Sequence, residues 1–257
     1  MKLPRVLIIG IDCATKDGKV GLALADYDAG GVCIKDARLG SVQHPVAATV
    51  ERWLRERKGP ALLAIDAPLG WPKPLSPSLA DHAAGQVLDV TPDNLFQRTT
   101  DRFVQTQLSK RPLDVGADRI ARTAHAALRL LGELSVRLGL AIPLAWRSSF
   151  SGVAAIEVYP AATLMARAFR SSGYKKPKHA AERREVIASI SREVSLGTYN
   201  DLLEGSADAL DAAVCVLAAK DFLDNLAMPP LDLQLAKREG WIWTAPSRAN
   251  GVTKRPQ

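Results

Sequence analysis

The chain has 257 residues, of which 47% are hydrophobic and 24% are charged, a composition that excludes wholesale disorder and allows a sizeable buried core. No apolar run approaches the roughly 20 residues of a membrane-spanning helix, and the first residues offer no cleavable signal. The formal net charge of +7 favours polyanionic partners such as nucleic acid, although surface charge that only aids solubility is the alternative.

The first 66 residues predict a sheet of four strands with one crossover helix. Short connections among the first three strands favour antiparallel pairing, and a helical crossover favours a parallel partner for the first strand. The predicted elements are strands Val6–Asp12, Val20–Ala25 and Val32–Leu39, a helix from Pro45 to about Arg57, and a buried strand Ala61–Asp66. The sequence therefore predicts a mixed sheet of three meandering strands followed by parallel strands.

A helical insertion is predicted between the fourth and fifth strands, at about residues 67–150. It begins with a proline-rich loop, 67–74, that cannot continue a strand or a helix, because proline lacks a donor and fixes φ. A polar segment, Arg98–Arg102, follows. Apolar residues at helical spacing then predict an amphipathic helix over Ala117–Leu138.

The rest of the chain predicts a fifth strand followed by helices. These elements are a strand Ala154–Val158, a helix Ala161–Arg170, a basic loop Lys175–His179, a helix Ala180–Val194, and a helix that Ser206 caps and that ends near Asp224. Without repeats or a clear linker, we predict an α/β fold with one domain over residues 1–245, whose sheet is flanked by helices. Residues 246–257 are predicted to form a flexible tail.

Four aspartates lie where a metal-dependent enzyme would need them. Asp12 and Asp66 each end an apolar run, and the carboxyl ends of parallel strands meet at one edge of a sheet. Asp208 and Asp211 are three positions apart on a predicted helix, so both side chains share one face. Glu157 also lies at a strand end, either as a fifth ligand or as the partner of an arginine.

Each aspartate also has a structural interpretation. Asp208 could stabilise the start of its helix through the helix dipole, whereas Asp211 lies too far along the helix for this role. Asp66 could form an Asx-type turn before the prolines, and Asp12 could cap the turn at Thr15. Two acids that end buried strands and a DxxD helix are jointly less expected by chance than any one of them.

Carboxylates in this pattern suit phosphodiester hydrolysis with Mg²⁺ or Mn²⁺. Hard divalent cations prefer oxygen ligands, and two ions about 3.5–4 Å apart can activate water and neutralise the charge on the leaving oxygen. Positively charged residues would hold the phosphates. The candidates for phosphate contacts are Arg98, Arg102, Lys175, Lys176 and Lys178.

The three cysteines, Cys13, Cys33 and Cys215, are widely separated and form no CxxC pair. They therefore support neither a zinc site nor a disulfide framework, and we expect a reducing, cytoplasmic setting. Cys13 follows Asp12, but no histidine is nearby in sequence. We interpret Cys13 as a small buried residue rather than as a nucleophile.

The chain resembles the DUF429 family over about residues 5–245, a group described as predicted nucleases with a ribonuclease H-like fold. The resemblance is carried by Ile11-Asp12, the DAPLGWP piece from Asp66, Arg98-Thr99-Thr100-Asp101, the EVYP piece from Glu157, the Lys/Arg helix after Tyr174, and DALDA from Asp208. DALDA is shared with Holliday-junction resolvases of the same superfamily, in which acids on the first strand, the fourth strand and a DxxD helix bind metal. The matching positions are Asp12, Asp66, Asp208 and Asp211.

Two other functions are left open by the sequence. The segment Gly10–Ala14 resembles the phosphate-1 segment of sugar kinases and actin-like ATPases, which implies a nucleotide-dependent phosphotransferase with Asp12 positioning Mg-nucleotide. Such enzymes need a second ribonuclease H-like half, so a homodimer is left open. The third interpretation is a non-catalytic nucleic-acid-binding module. DNA, RNA, hybrid and branched substrates are equally compatible with the nuclease hypothesis.

Overall fold

Five strands form one mixed sheet in the order β3-β2-β1-β4-β5 within residues 5–57, 59–116 and 118–248, which the computed structural model describes. The strands are β1 Val6–Asp12, β2 Gly21–Asp28, β3 Gly31–Leu39, β4 Ala61–Asp66 and β5 Val153–Glu157. β1, β2 and β3 pair antiparallel, whereas β4 and β5 are parallel to β1. This arrangement confirms the predicted fold class and is consistent with a ribonuclease H-like fold.

Helices cover both faces of this sheet. The helices of the described residues are α1 Val46–Glu56, α2 Leu75–Leu79, α3 Pro92–Phe96, α4 Thr99–Leu108, α5 Asp118–Leu138, α6 Pro160–Ala166, α7 Ala180–Ile190, α8 Asn200–Gly205, α9 Ala207–Leu223 and α10 Leu233–Glu239. Four of them, α2 to α5, lie between β4 and β5. None of the described helices is both long enough and apolar enough to cross a membrane.

Alternating side chains of β1 supply two separate hydrophobic cores. Ile9 and Ile11 pack on one face with residues of α1 and α5. Ile8 packs on the opposite face, in the core that contains α9. Because side chains alternate between faces along a strand, Asp12 belongs to the same face as Ile8 and is directed toward α9.

The α9 helix lies unusually close to the sheet because glycines face it. A Cβ atom at Gly10 would overlap the carbonyl oxygen of Ala212, and one at Gly21 would overlap that of Asp208. The absence of side chains at these two positions lets the helix backbone approach the strands. This close approach brings the start of α9 to the ends of β1 and β4.

Several element boundaries differ from the sequence predictions. β2 continues to Asp28 rather than ending at Ala25, and the helix predicted to reach Arg170 ends at Ala166. The polar segment at Arg98 is the beginning of α4, where the Arg98 N–H donates to the Asp101 carboxylate over 2.8 Å. Of the predicted tail, residues 246–248 are described and residues 249–257 lie outside the described part of the chain.

Candidate metal centre

Three of the four predicted aspartates meet at one edge of the sheet. Asp12 and Asp66 are direct partners in the parallel pairing of β1 with β4, so both strands end side by side. Asp211 reaches the same point from the second turn of α9. One carboxylate oxygen from each of the three residues lies within 4.8 Å of the other two. We call Asp12, Asp66 and Asp211 the carboxylate cluster.

Asp208, the fourth predicted aspartate, lies beside the carboxylate cluster rather than within it. It is partly exposed in the first turn of α9, which Ser206 caps by accepting a hydrogen bond from the N–H of Ala209 over 3.2 Å. The charge of Asp208 nevertheless contributes to the raised pKa values of Asp12 and Asp211. Asp208 is therefore close enough to act as an outer member of the site. Its negative charge in the first turn also interacts favourably with the dipole of α9.

Both carboxylate oxygens of Asp211 have partners, from Tyr174 and from Lys175, the first residue of the basic loop. The hydroxyl of Tyr174 donates to Oδ1 over 2.7 Å, and the Nζ atom of Lys175 lies 2.6 Å from Oδ2. Asp211 and Tyr174 are buried, whereas 61% of the Lys175 side chain is exposed. Lys175 was predicted to contact a phosphate, but here its ammonium lies against the carboxylate cluster.

The cluster carries more negative charge than its surroundings offset. Burial, followed by the charges of Asp211 and Asp66, raises the pKa of Asp12 well above its ordinary value. Burial and the charge of Asp211 raise the pKa of Asp66 to about 7. Burial also raises the pKa of Asp211 although Lys175 and Tyr174 act to lower it. The raised pKa values show that the three carboxylates are unfavourable in their ionised forms at such short distances, and a bound cation would offset this repulsion.

Glu157 is not available as a metal ligand, because an arginine holds both of its oxygens. Oε1 and Oε2 accept hydrogen bonds from the two terminal nitrogens of Arg98 over 2.7 and 2.8 Å. Oε2 also accepts from the N–H of Leu69 over 2.9 Å. Of the two roles left open for Glu157, the structure shows the arginine partner.

Arg98 is likewise unavailable to a phosphate. Only 1% of its side chain is exposed, and it also pairs with Asp101 over 2.8 Å. Its N–H groups further donate to the main-chain carbonyl of Glu239 over 3.2 Å, and the Glu239 carboxylate accepts from the N–H groups of Lys73 and Thr99. We call Arg98, Asp101, Glu157 and Glu239 the arginine network. It fixes the proline-rich loop that follows Asp66, through the N–H groups of Leu69 and Lys73. Because Arg98 and Glu157 are 59 residues apart, the local sequence gave no signal of their pairing.

The other predicted phosphate contacts are exposed. Lys176 and Lys178 lie in the same basic loop as Lys175. Arg102 is on the solvent side of α4, where its Nη1 atom donates to the carbonyls of Gln97 and Asp93 over 3.1 and 3.3 Å. These three side chains can reach a polyanion without breaking a buried ion pair.

A cavity of about 90 Å³ adjoins Asp66. Its walls are mostly apolar and include Tyr159, whose pKa is raised by burial and by the charge of Asp66. The other wall residues include Pro112 and Leu113, from the segment that precedes α5, and Ile120, from the first turn of α5. The carboxylate cluster thus lies next to a small, mostly apolar recess.

The donor set of the cluster fits a hard divalent cation. All three side chains offer oxygen, the ligand that Mg²⁺ and Mn²⁺ prefer in proteins. The Lys175 ammonium already marks a position where a cation is held by Asp211. Cys13 does not compete as a nucleophile, because burial and the charge of Asp12 raise the pKa of its thiol to about 12.

Comparison with known proteins identifies the family of the chain and nothing more specific. No significant match exists among curated proteins or among solved structures. Residues 10–232 match the family described as "Protein of unknown function (DUF429)". This match spans all five strands except the start of β1, all four aspartates and the basic loop. The chain therefore belongs to the DUF429 family.

Proposed function

We propose that this protein is a metal-dependent nuclease that hydrolyses phosphodiester bonds of nucleic acid. The observation that carries the proposal is the convergence of Asp12, Asp66 and Asp211 within 4.8 Å at the carboxyl ends of two parallel strands. Among the described residues, Lys175 is the one cation in contact with these carboxylates. Crowded carboxylates raise the free energy of a folded protein, and a bound divalent cation would offset this cost.

The aspartates divide into two groups in this proposal. Asp12, Asp66 and Asp211 would hold Mg²⁺ or Mn²⁺ directly, and Asp208 would complete the site from its edge. Bound divalent ions would supply an activated water and neutralise charge on the phosphate and the leaving oxygen. Tyr174 would keep Asp211 in place, since its buried hydroxyl donates to the carboxylate oxygen that Lys175 does not contact.

Nucleic acid is the substrate class that the surroundings of the cluster support. The Lys175 ammonium lies beside the carboxylates, the exposed Lys176 and Lys178 belong to the same loop, and such groups bind phosphates. The apolar recess beside Asp66 suits a sugar or base next to the scissile phosphate. Arg102 lies on the exposed side of α4 and would contact a more distant phosphate.

The experiment is a cleavage assay with single-stranded, duplex, hybrid and branched substrates, each tested with Mn²⁺, Mg²⁺ or EDTA. We expect metal-dependent cleavage that Asp12→Asn reduces by at least about 100-fold, since even indirect partners of metal ligands contribute 10- to 100-fold. Asp81→Asn, which removes an exposed acid far from the cluster in sequence, is the matched control and should retain full activity.

Cleavage of none of the substrates by well-folded protein would contradict the proposal. Saturable stabilisation by Mg-ATP in a thermal-shift assay, without cleavage, would favour the phosphotransferase instead. Metal-independent binding of polyanions that survives Asp66→Asn would favour the non-catalytic module.

A further inference from the structure

Asp211 is held by two partners of opposite character. Tyr174, whose exposed fraction is 0%, donates its hydroxyl to Oδ1 from inside the core. Lys175 reaches Oδ2 from solvent, with 61% of its side chain exposed. Adjacent residues in the sequence therefore give Asp211 one fixed contact and one contact that can be exchanged without exposing any part of the core.

The main chain of the basic loop is fixed by a buried arginine. Arg183, with 2% of its surface exposed, donates from Nη1 to the carbonyls of Tyr174 and Lys176 over 2.8 and 2.9 Å. It also donates from Nη2 to the carbonyl of Pro177 over 3.1 Å. Because these bonds hold the backbone on both sides of Lys175, the side chain of Lys175 can move while the loop stays in place.

The Lys175 ammonium takes the place of a cation in the cluster. Its Nζ atom lies 2.6 Å from Oδ2 of Asp211 and brings one positive charge to the three carboxylates. Oδ1 of Asp211 is already the acceptor of the Tyr174 hydroxyl, so a divalent cation bound by the three aspartates would take Oδ2, the oxygen that Lys175 contacts. An ammonium and a divalent cation that both contact this oxygen would repel each other strongly, so metal binding would displace the Lys175 side chain, which is free to move into solvent.

We propose that Lys175 is a displaceable counter-ion: it neutralises the cluster until a divalent cation takes over Asp211 Oδ2, and its freed ammonium then binds a phosphate oxygen of the nucleic acid. The inference rests on the proposed function, because it requires a divalent cation at the cluster. It gives Lys175 two successive partners, a carboxylate and then a phosphate. Metal binding would in this way prepare the site for its substrate.

The test measures the Kd of Mn²⁺ by isothermal titration calorimetry for the whole chain. Lys175→Met removes the competing cation, and we expect it to tighten Mn²⁺ binding by about tenfold or more, as loss of one close like charge implies. Lys176→Met removes the same charge from the same loop without a contact to Asp211, and should change the Kd less than about threefold. Lys175→Arg keeps the charge and should bind Mn²⁺ about as weakly as the unaltered protein.

Two further measurements separate the double role from simple loss of charge. Without metal, Lys175→Met should lower the Tm while Lys176→Met does not, because only the first leaves the carboxylates without a counter-ion. At saturating Mn²⁺, Lys175→Met should raise the KM for nucleic acid in spite of its tighter metal binding. Opposite changes in metal affinity and substrate affinity are the signature of a residue that exchanges partners.

The outcomes distinguish this inference from the proposed function. If the unaltered protein binds Mn²⁺ and Lys175→Met has the same Kd as Lys176→Met, or a weaker one, the displacement of Lys175 is refuted and the nuclease proposal stands. If the unaltered protein binds no divalent cation at the cluster, both fail together.

Discussion

Two groups of acids lie at the carboxyl ends of neighbouring parallel strands, and their negative charges are balanced to different extents. Glu157, which ends β5, is matched by Arg98 through two hydrogen bonds of 2.7 and 2.8 Å. Asp66, which ends the adjacent β4, shares its surroundings with Asp12 and Asp211, and Lys175 is the one cation in contact with this group among the described residues. The charge of Glu157 is therefore balanced by Arg98, whereas the carboxylate cluster retains excess negative charge.

The comparison teaches that burial of an acid does not by itself indicate function. Position at a strand end was a shared feature of Asp12, Asp66 and Glu157 in the sequence, and it did not separate their roles. The number of positive partners does separate them. A buried acid with a bidentate arginine stabilises the fold, while a group of acids with too few partners stores unfavourable energy that a ligand can release.

The largest expected effect comes from breaking the arginine network. Arg98→Met should lower the free energy of unfolding by about 3–5 kcal/mol, because it leaves the carboxylates of Glu157 and Asp101 buried without their partner. Asp12→Asn, which removes one charge from the carboxylate cluster, should leave the metal-free stability unchanged or raise it. Urea denaturation in EDTA measures both. Equal destabilisation by the two substitutions would contradict the comparison.

An intermediate effect is expected from pH in the metal-free protein. The pKa of Asp66 is about 7 in the folded protein and has an ordinary value of 3.8, so between these values the folded state binds a proton that the unfolded state has lost. Stability from this group is therefore greatest below about pH 4 and is lost as the pH rises through 7, by up to about 4 kcal/mol.

The measurement compares the unfolding free energies of the unaltered protein and Asp66→Asn from pH 4 to 8 in EDTA. As the pH rises, the unfolding free energy of the unaltered protein should fall relative to that of Asp66→Asn. Saturating Mn²⁺ should reverse this trend, because a metal ion replaces the proton on the ionised carboxylate. If the difference in unfolding free energy did not vary with pH, the pKa of Asp66 would not be raised in the folded protein, and this prediction would be wrong.

The smallest effect is expected from the aspartate that lies outside the cluster. Asp208→Asn should weaken Mn²⁺ binding by about threefold, since Asp208 acts on the cluster through charge from a partly exposed position. Asp211→Asn should abolish measurable binding. The two substitutions are matched in chemistry and lie on the same face of one helix. Similar losses from both would place Asp208 among the direct ligands.

The strands that hold the site could be predicted closely from the sequence. β1 and β4 have the predicted bounds, Val6–Asp12 and Ala61–Asp66, because each apolar run ends at a charged residue and both faces of the strand are buried. The end of β2 could not be predicted from the sequence, because Asp26 interrupts the apolar pattern of this strand. In the fold this side chain is paired with Arg5 and Arg57, which the local sequence does not reveal.

The candidate site was predictable in part for the same reason. Asp12 and Asp66 follow from strand order, and Asp211 follows from the spacing of the α9 helix. The partner of Glu157 did not follow, because Arg98 is 59 residues away in the chain and was grouped with the exposed basic residues. Lys175 and Asp211 are also far apart in the chain, and only the docking of the basic loop on α9 brings them into contact.

The central claim is that Asp12, Asp66 and Asp211 together hold a divalent cation. Anomalous scattering from crystals soaked in Mn²⁺ tests it most directly, because it locates the metal independently of activity. The account predicts a peak coordinated by oxygens of all three aspartates, with the Lys175 ammonium moved away from Asp211. Crystals that show no peak at this position at millimolar Mn²⁺, with Lys175 still in contact with Asp211, would contradict it.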